Sequence, residues 1–241
     1  MTSPAPAPGT PLHRTLLHDM YEPWQPVLLG GMAATLVLMF YPPVTVPLAR
    51  EWLDTGQPPD PCRRLIPRWL TAVTGTPAEV ERLRRRAAAA HSRVHGEMPA
   101  EVDAPRFGAR YTATDPVAMA AMYVVITSNM LTAQESLHRR LDSDAERDLY
   151  CSLAAETAGY AFGVQDPPVT IAGLRQAYDG ILADSLQDTD MGRQMLRELL
   201  AADIDGTPGA ELAVRAAPLL DHRVTGLLEP LVSASPKWTP S

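Results

Sequence analysis

The side chain in this sequence best placed to do chemistry is the imidazole of His91, which follows the four alanines Ala87 to Ala90. Val80, Leu83, Ala87, Ala90 and Val94 recur at helical spacing, and His91 stands at the edge of that apolar stripe. The spacing predicts an imidazole facing inward, beside alanines that leave room for a large flat group. A neutral imidazole in that setting suits the axial position of a haem iron. It equally suits a hydrogen-bonded core histidine, the commoner role of a lone histidine on an apolar face. Arg84 lies two turns earlier on roughly the same face, placed to meet a haem propionate through a charge-assisted contact. The run Arg84-Arg85-Arg86 is also the ordinary signature of a solvated helix face.

Other chemistries find less support. His91 and His95 have the spacing with which one helical turn grips a metal ion, which keeps a non-haem metal enzyme open. Ser92 and Arg93 follow His91, so there is no HExxH motif, and no carboxylate-rich partner motif accompanies the pair. The chain has no GxSxG elbow, no glycine-rich phosphate loop and no dinucleotide fingerprint. A formal charge of −7 argues against a nucleic-acid partner, because phosphate binding draws on clustered cations. Cys62 and Cys151 are far apart and lack CxxC or Cys-His spacing, as expected of reduced thiols in a cytoplasmic protein.

The elements that must position His91 read as helices from end to end, and the predicted fold class is all-α, a single-domain helical bundle. Residues 1–11 read as a disordered tail without the character of a secretory leader, 12–232 as the domain, and 233–241 as a second tail. Helices are predicted over about 12–21, 25–40, 44–53 and 60–74, the last kinked or interrupted by Pro67. Thr76-Pro77-Ala78-Glu79 is a capping box with proline in the first turn, and opens a helix running to Val94 and closed by Gly96. Asp115-Pro116 starts a long apolar helix to about Leu141. Ser143-Asp144-Ala145-Glu146 caps one ending near Gly163, Thr170 caps another, and two or three more fill 191–232. The uncharged stretch from Pro26 to Ala49 is divided by Gly30-Gly31, Pro42-Pro43 and Pro47 into pieces too short for a bilayer, so no membrane span is expected.

Several short motifs, in order, resemble those of the latex clearing protein and MpaB-type haem oxygenase family. Gly30-Gly31-Met32-Ala33 through Tyr41-Pro42-Pro43-Val44 is similar to its glycine-rich opening helix and His-Pro-x-Val turn. Asp60-Pro61 with Arg64-Leu65 resembles its Asp-Pro-x-x-Arg-Leu element. Gly75-Thr76-Pro77 with His91-Ser92-Arg93-Val94-His95-Gly96 is similar to its Gly-Thr-Pro helix ending in His-x-x-Val-x-Gly. Tyr111-Thr112-Ala113-Thr114-Asp115-Pro116 resembles its Tyr-x-Ala-x-Asp-Pro element. Glu146-Arg147-Asp148-Leu149-Tyr150, then Gly163-Val164, Pro168 and Thr170, also fall in place. The resemblance spans roughly Leu28 to Leu186 and implies a haem b protein in which His91 is the proximal iron ligand.

The sequence departs from the family pattern on the distal side. Tyr41 replaces the histidine of the His-Pro turn, Pro67 and Arg68 stand where a basic residue and a threonine are usual, and Ala121-Met122-Tyr123 replaces a Trp-Val-His element. Arg64, Arg68 and Tyr123 are the candidate catalytic residues, with His91, Arg84 and Arg64 as candidate haem contacts. The resemblance implies a haem-dependent oxygenase or peroxygenase-like enzyme that uses O2 or peroxide. The family's known reaction is oxidative cleavage of polyisoprene; with the distal residues changed and so compact a chain, a small organic metabolite is expected as the substrate instead of a polymer, as in biosynthetic tailoring. The changed distal residues also leave open a non-catalytic haem-binding or helical interaction protein, and a homodimer is left open as well.

Overall fold

Two stretches are apolar on every side, and a helix of that kind has to be enclosed by others. They become α2 (Trp24–Leu38) and α7 (Pro116–Leu137), which form the central pair of the fold. α2 is buried from Leu29 through Leu38, and α7 buries Tyr123 to Thr127 and Asn129 to Leu131. Gly30 and Gly31 allow the close approach. A Cβ on Gly30 would lie 3.1 Å from the Asn129 carbonyl oxygen and from Met130 Cα, and one on Gly31 would lie 2.7 Å from the Ile66 side chain.

The computed structural model describes residues 11–55, 61–204 and 206–232, so both tails of the sequence analysis fall outside the described residues except at Pro11. Around the central pair lie α1 (Pro11–Tyr21), α3 (Pro42–Thr55), α4 (Pro61–Thr74), α5 (Pro77–His91), α6 (Ala104–Phe107), α8 (Asp144–Ala154) and α9 (Tyr160–Phe162). α10 (Ile171–Asp184), α11 (Asp190–Ala201), α12 (Gly209–Ala216) and α13 (His222–Val232) complete the helices. Two short antiparallel pairs were not expected: β1 (His95–Glu97) with β2 (Arg110–Thr112), and β3 (Asp203–Ile204) with β4 (Thr207–Pro208). The protein is a single all-α domain, and residues from α1 to α13 share one principal core.

Local chemistry explains most boundaries. The Thr76 cap forms as predicted: the Thr76 amide donates to Glu79 Oε2 (2.8 Å), and the Glu79 amide donates to Thr76 Oγ1 (3.4 Å). Asp115 Oδ1 accepts from the Ala118 amide (2.9 Å), and Thr170 Oγ1 from the Gly173 amide (3.1 Å). At Ser143 the box is displaced by one residue, because Glu146 reaches back to the Asp142 amide (2.7 Å).

Three boundaries differ from expectation. Pro67 does not interrupt α4; it is exposed, so its ring stands on the solvent side of the helix. α7 stops at Leu137, and Arg147 ties the following segment down by donating to the Leu141 carbonyl (2.8 Å) and to Glu135 (2.7 Å). Between α8 and α9 the helix widens into a single π-type turn, Ala155–Gly159, before ending at Gly163 in the left-handed conformation (φ 69°).

α7 is long and apolar enough by composition to cross a bilayer, but 67% of its most apolar window is buried against the rest of the protein. α2 and α3 meet at an angle of 100°, which follows from the Tyr41-Pro42 turn. There the Thr45 hydroxyl donates to the Leu38 carbonyl (2.6 Å).

Replacing Gly30 with valine should wedge α2 from α7 and destabilise the fold by about 1–3 kcal/mol, the usual cost of overpacking. Gly180→Ala, at an exposed helical position with nothing within 4 Å of a new Cβ, should instead leave the melting temperature unchanged or raise it. Thermal melts followed by circular dichroism compare the two.

Candidate functional site

α5 is packed unlike its neighbours. Val80 is its only buried residue; Leu83, Ala87 and His91 are half-buried, and Ala88, Ala89 and Ala90 are exposed. The predicted inward stripe is therefore covered only at its start, against α4 and α9, and Ala90 faces out. Farther along, Arg84, Ala87, Ala88 and His91 form one wall of a half-open cleft of about 180 Å³. The small alanine side chains leave that space, since any larger residue on the same face would fill it.

The opposite walls come from two distant parts of the chain. Ala113 and Thr114, just after β2, and Met119 of α7 close one side; Ala161, Phe162 and Gly163 close the other. Pairing of β1 with β2 sets the first wall, with Gly96 opposite Tyr111 and the Ala113 amide donating to the Val94 carbonyl (2.9 Å). A Cβ on Gly96 would lie 2.7 Å from the Tyr111 hydroxyl, so only glycine lets that ring cross the strand. Two motifs quoted above, the one that begins at His91 and the one that begins at Tyr111, thus meet in space and frame the cleft. Sequence periodicity did not reveal Ala113, Thr114, Met119 or Phe162 as lining residues. The signal for Phe162 was the glycine after it, which stops the helix at the cleft.

His91 is the last residue of α5, which ends three residues before the predicted Val94. Burial pushes its pKa down, and the nearby Arg68 guanidinium adds to that shift. A lowered histidine pKa keeps the ring neutral through the usual imidazole range, the form in which a ring nitrogen can donate to a metal. His95 is not one helical turn away on the same face, because the helix has ended; it is exposed on β1, opposite Thr112. Among the described residues no group of three His, Cys, Asp or Glu side chains is assembled to hold a metal ion. The paired-histidine metal site thus lacks both its geometry and its further ligands.

The other predicted site residues are dispersed. Arg84 lines the cleft, but its guanidinium is engaged by Glu81 (2.8 and 3.0 Å) and lies 5.6 Å from the centre of the Tyr160 ring. The Tyr160 hydroxyl also donates to Glu81 (2.9 Å), so the three side chains make one exposed cluster at the cleft edge. Arg68 is exposed on α4, close enough to His91 to influence its charge. Arg64 is in the first turn of α4, and its side chain lies outside the described residues. The structure does not bring Tyr123 to the cleft. Its ring is 1% exposed in the core against Trp69, and Trp69 in turn stacks on Phe162. Cys151 is a buried free thiol, and the Cys62 side chain lies outside the described residues.

Residues 18–240 match the family described as the catalytic domain of the ER-bound oxygenase mpaB/B′ and rubber oxygenase. The chain belongs to this family. No curated protein and no solved structure matches it. Because the oxygenase domain takes in nearly the whole chain, α5, the β1–β2 pair and the cleft between them are all parts of that domain.

Arg68→Glu should raise the His91 pKa by replacing a repelling cation with an anion, and Arg68→Gln should raise it less. An NMR titration of the imidazole carbons reads both shifts. The arginine's influence is disproved if neither variant moves the midpoint.

Proposed function

We propose that this oxygenase-family chain is a haem-dependent enzyme in which His91 holds the iron from the proximal side. One observation carries the reading: a half-buried imidazole, kept neutral by its surroundings, opens from an alanine face onto a cleft where a mid-core histidine would be packed on all sides. The donor chemistry fits, since haem iron takes a neutral imidazole and the adjacent wall must be small enough for a flat ring to lie against it. The volume fits only with movement. Sites that enclose an organic ligand usually measure roughly 300–1,000 Å³, and the cleft measures about 180 Å³. α5, with one buried residue, is the wall with least packing to lose by moving outward.

When bound, the haem would supply the iron centre at which O2 or peroxide is activated. The chain's own residues would supply everything else. His91 would set the position of the macrocycle and the basicity of the proximal ligand. Ala87 and Ala88 would lie along one ring face, while Met119 and Phe162 would keep the other side apolar. Arg68, whose charge reaches His91, and Arg84, in the cleft wall but engaged by Glu81, are the cations suited to a propionate, and Arg68 also to negative charge developing on a reacting oxygen. Tyr123 is assigned no direct contact with a bound group, because Trp69 and Phe162 stand between it and the cleft.

The proposed substrate is a small apolar or amphipathic organic molecule, consistent with the limited, largely apolar cleft, and oxidative tailoring in a biosynthetic route is the proposed context. A cytoplasmic location is part of the same proposal, and the burial of most of the apolar surface of α7 accounts for that helix as a core element.

Protein expressed with haem supply should show a Soret band that is lost in His91→Ala and retained in His95→Ala. Loss in His95→Ala alone would move the ligand to the other imidazole, and no Soret band in the parent protein would sink the haem reading. The lowered His91 pKa also sets the pH dependence. Protonation competes with iron only below the folded-state pKa, so haem retention should stay flat as pH falls through about 6.5, the ordinary histidine value, and weaken only at lower pH.

A further inference from the structure

One group of aromatic side chains runs from the cleft wall into the core, and all but Phe162 lie outside the site described so far. Phe162, in the cleft wall, stacks on Trp69 with ring centroids 6.3 Å apart and planes 11° from parallel. Trp69 is fully buried, and its other neighbours are Tyr123, with centroids 6.3 Å apart, and Tyr21. The Tyr21 and Tyr150 hydroxyls form a hydrogen bond of 2.6 Å. Among the described residues the Trp69 indole N–H lies near the Tyr21 hydroxyl and the Tyr123 hydroxyl near Thr127, neither with the full geometry of a hydrogen bond. Close packing alone does not require five aromatic side chains from five helices to meet at this point, four of them with a polar atom that phenylalanine would not carry.

The chemistry of the members differs in a way that fixes where an electron vacancy can rest. A phenylalanine ring is too hard to oxidise to hold one, but a stacked ring couples its two neighbours electronically. A tyrosine gives up an electron readily only when its phenolic proton can leave. Here Tyr21 and Tyr150 face each other, and among the described residues neither these two nor Tyr123 has a carboxylate or imidazole as a hydrogen-bond partner. Burial reinforces this by holding all three hydroxyls protonated, Tyr21 up to about 12. An indole, by contrast, can lose an electron and keep its proton.

We propose that Trp69 is a redox-active residue of this protein, the one-electron donor to an oxidant seated in the cleft, with Phe162 as the bridge between them. The oxidant is a one-electron acceptor of the activated-oxygen class, so the inference rests on the oxygenase reading while requiring no particular cofactor. In the step, one electron leaves the Trp69 ring and the oxidant gains it; no bond breaks, the proton stays on the indole nitrogen, and the product is an indole radical cation. The surrounding tyrosines, unable to shed protons, end the route at Trp69. An oxidising equivalent formed without substrate would then be drawn onto a shielded ring and not onto the cleft wall.

The test needs no haem. A ruthenium polypyridyl photo-oxidant is attached at Ala88→Cys, in the cleft wall, in a Cys62→Ser background, and flash-quenched with an external electron acceptor. The parent should show the transient absorption of an indole radical cation. Trp69→Phe, which keeps a ring in place, should abolish it, and Phe162→Leu, with Trp69 intact, should slow its appearance. Circular dichroism verifies the fold of each variant. The proposal is overturned if no indole signal appears in the parent, or if the signal persists in Trp69→Phe and so arises from Trp24, Trp52 or Trp238. An unchanged rate in Phe162→Leu removes Phe162 as the bridge. Since these readings are independent of the Soret band, failure here and failure of the haem assignment are separate results.

Discussion

The close crossing of α2 and α7 is the constraint around which the remaining helices are arranged. Gly30 brings two backbones to a separation at which even a methyl group would be tight, and Gly31 repeats the approach toward α4. Dispersion attraction across such an interface is the sum of many small contacts, each lost quickly with distance, so a modest separation of the pair would be felt over its whole length. α4 takes its place from α2 and carries Trp69, and α7 carries Tyr123 and, near its start, Met119. The rear wall of the cleft is thus anchored to the most tightly packed part of the molecule.

The front wall is built on the opposite principle. α5 is held at its start by the Thr76 capping box and by burial of Val80, and at its end by the β1–β2 pair, with little apolar contact between. A helix secured at both ends and lightly packed in the middle is a reasonable support for an imidazole that must meet a bulky group. Its position is defined by hydrogen bonds at the termini, and its side has room to yield. Local stability is expected to be uneven in proteins, and segments that bind ligands are commonly drawn from the less stable end.

Much of this was legible in the sequence because it rests on local chemistry. Thr76 with Glu79, Asp115 before Pro116, and Thr170 each announce a helix start by the hydrogen bond they make, and all three do so. His91 was identifiable because alanines surround it, and the family resemblance was carried by motifs that prove to frame one cleft. What escaped depends on tertiary context. Periodicity could not show that α5 ends at His91, because Ser92, Arg93 and Val94 are acceptable helix residues and the pairing of His95 with Thr112 decides otherwise. The family resemblance carried Tyr123 as a distal candidate because the residue lies where the family has a functional element, yet the face of α7 that bears it turns toward Trp69. Pro67 suggested a kink or a break, and α4 nevertheless runs through it with the ring turned to solvent.

The widened turn at Ala155–Gly159 matters for a similar reason. A π-type turn amounts to one residue more than an α-helix would use over the same rise, and each helical residue advances the side-chain direction by about 100°. That extra residue sets the rotational phase of everything after it, so Ala161, Phe162 and Gly163 line the cleft although the last turns of α8, with Tyr150, Cys151, Leu153 and Ala154, are phased to the core. In a shorter relative lacking one residue here, the same amino acids would be swung away by more than a quarter turn. The aromatic wall would be lost without any change in its composition, and alignment by residue identity alone would not register the difference.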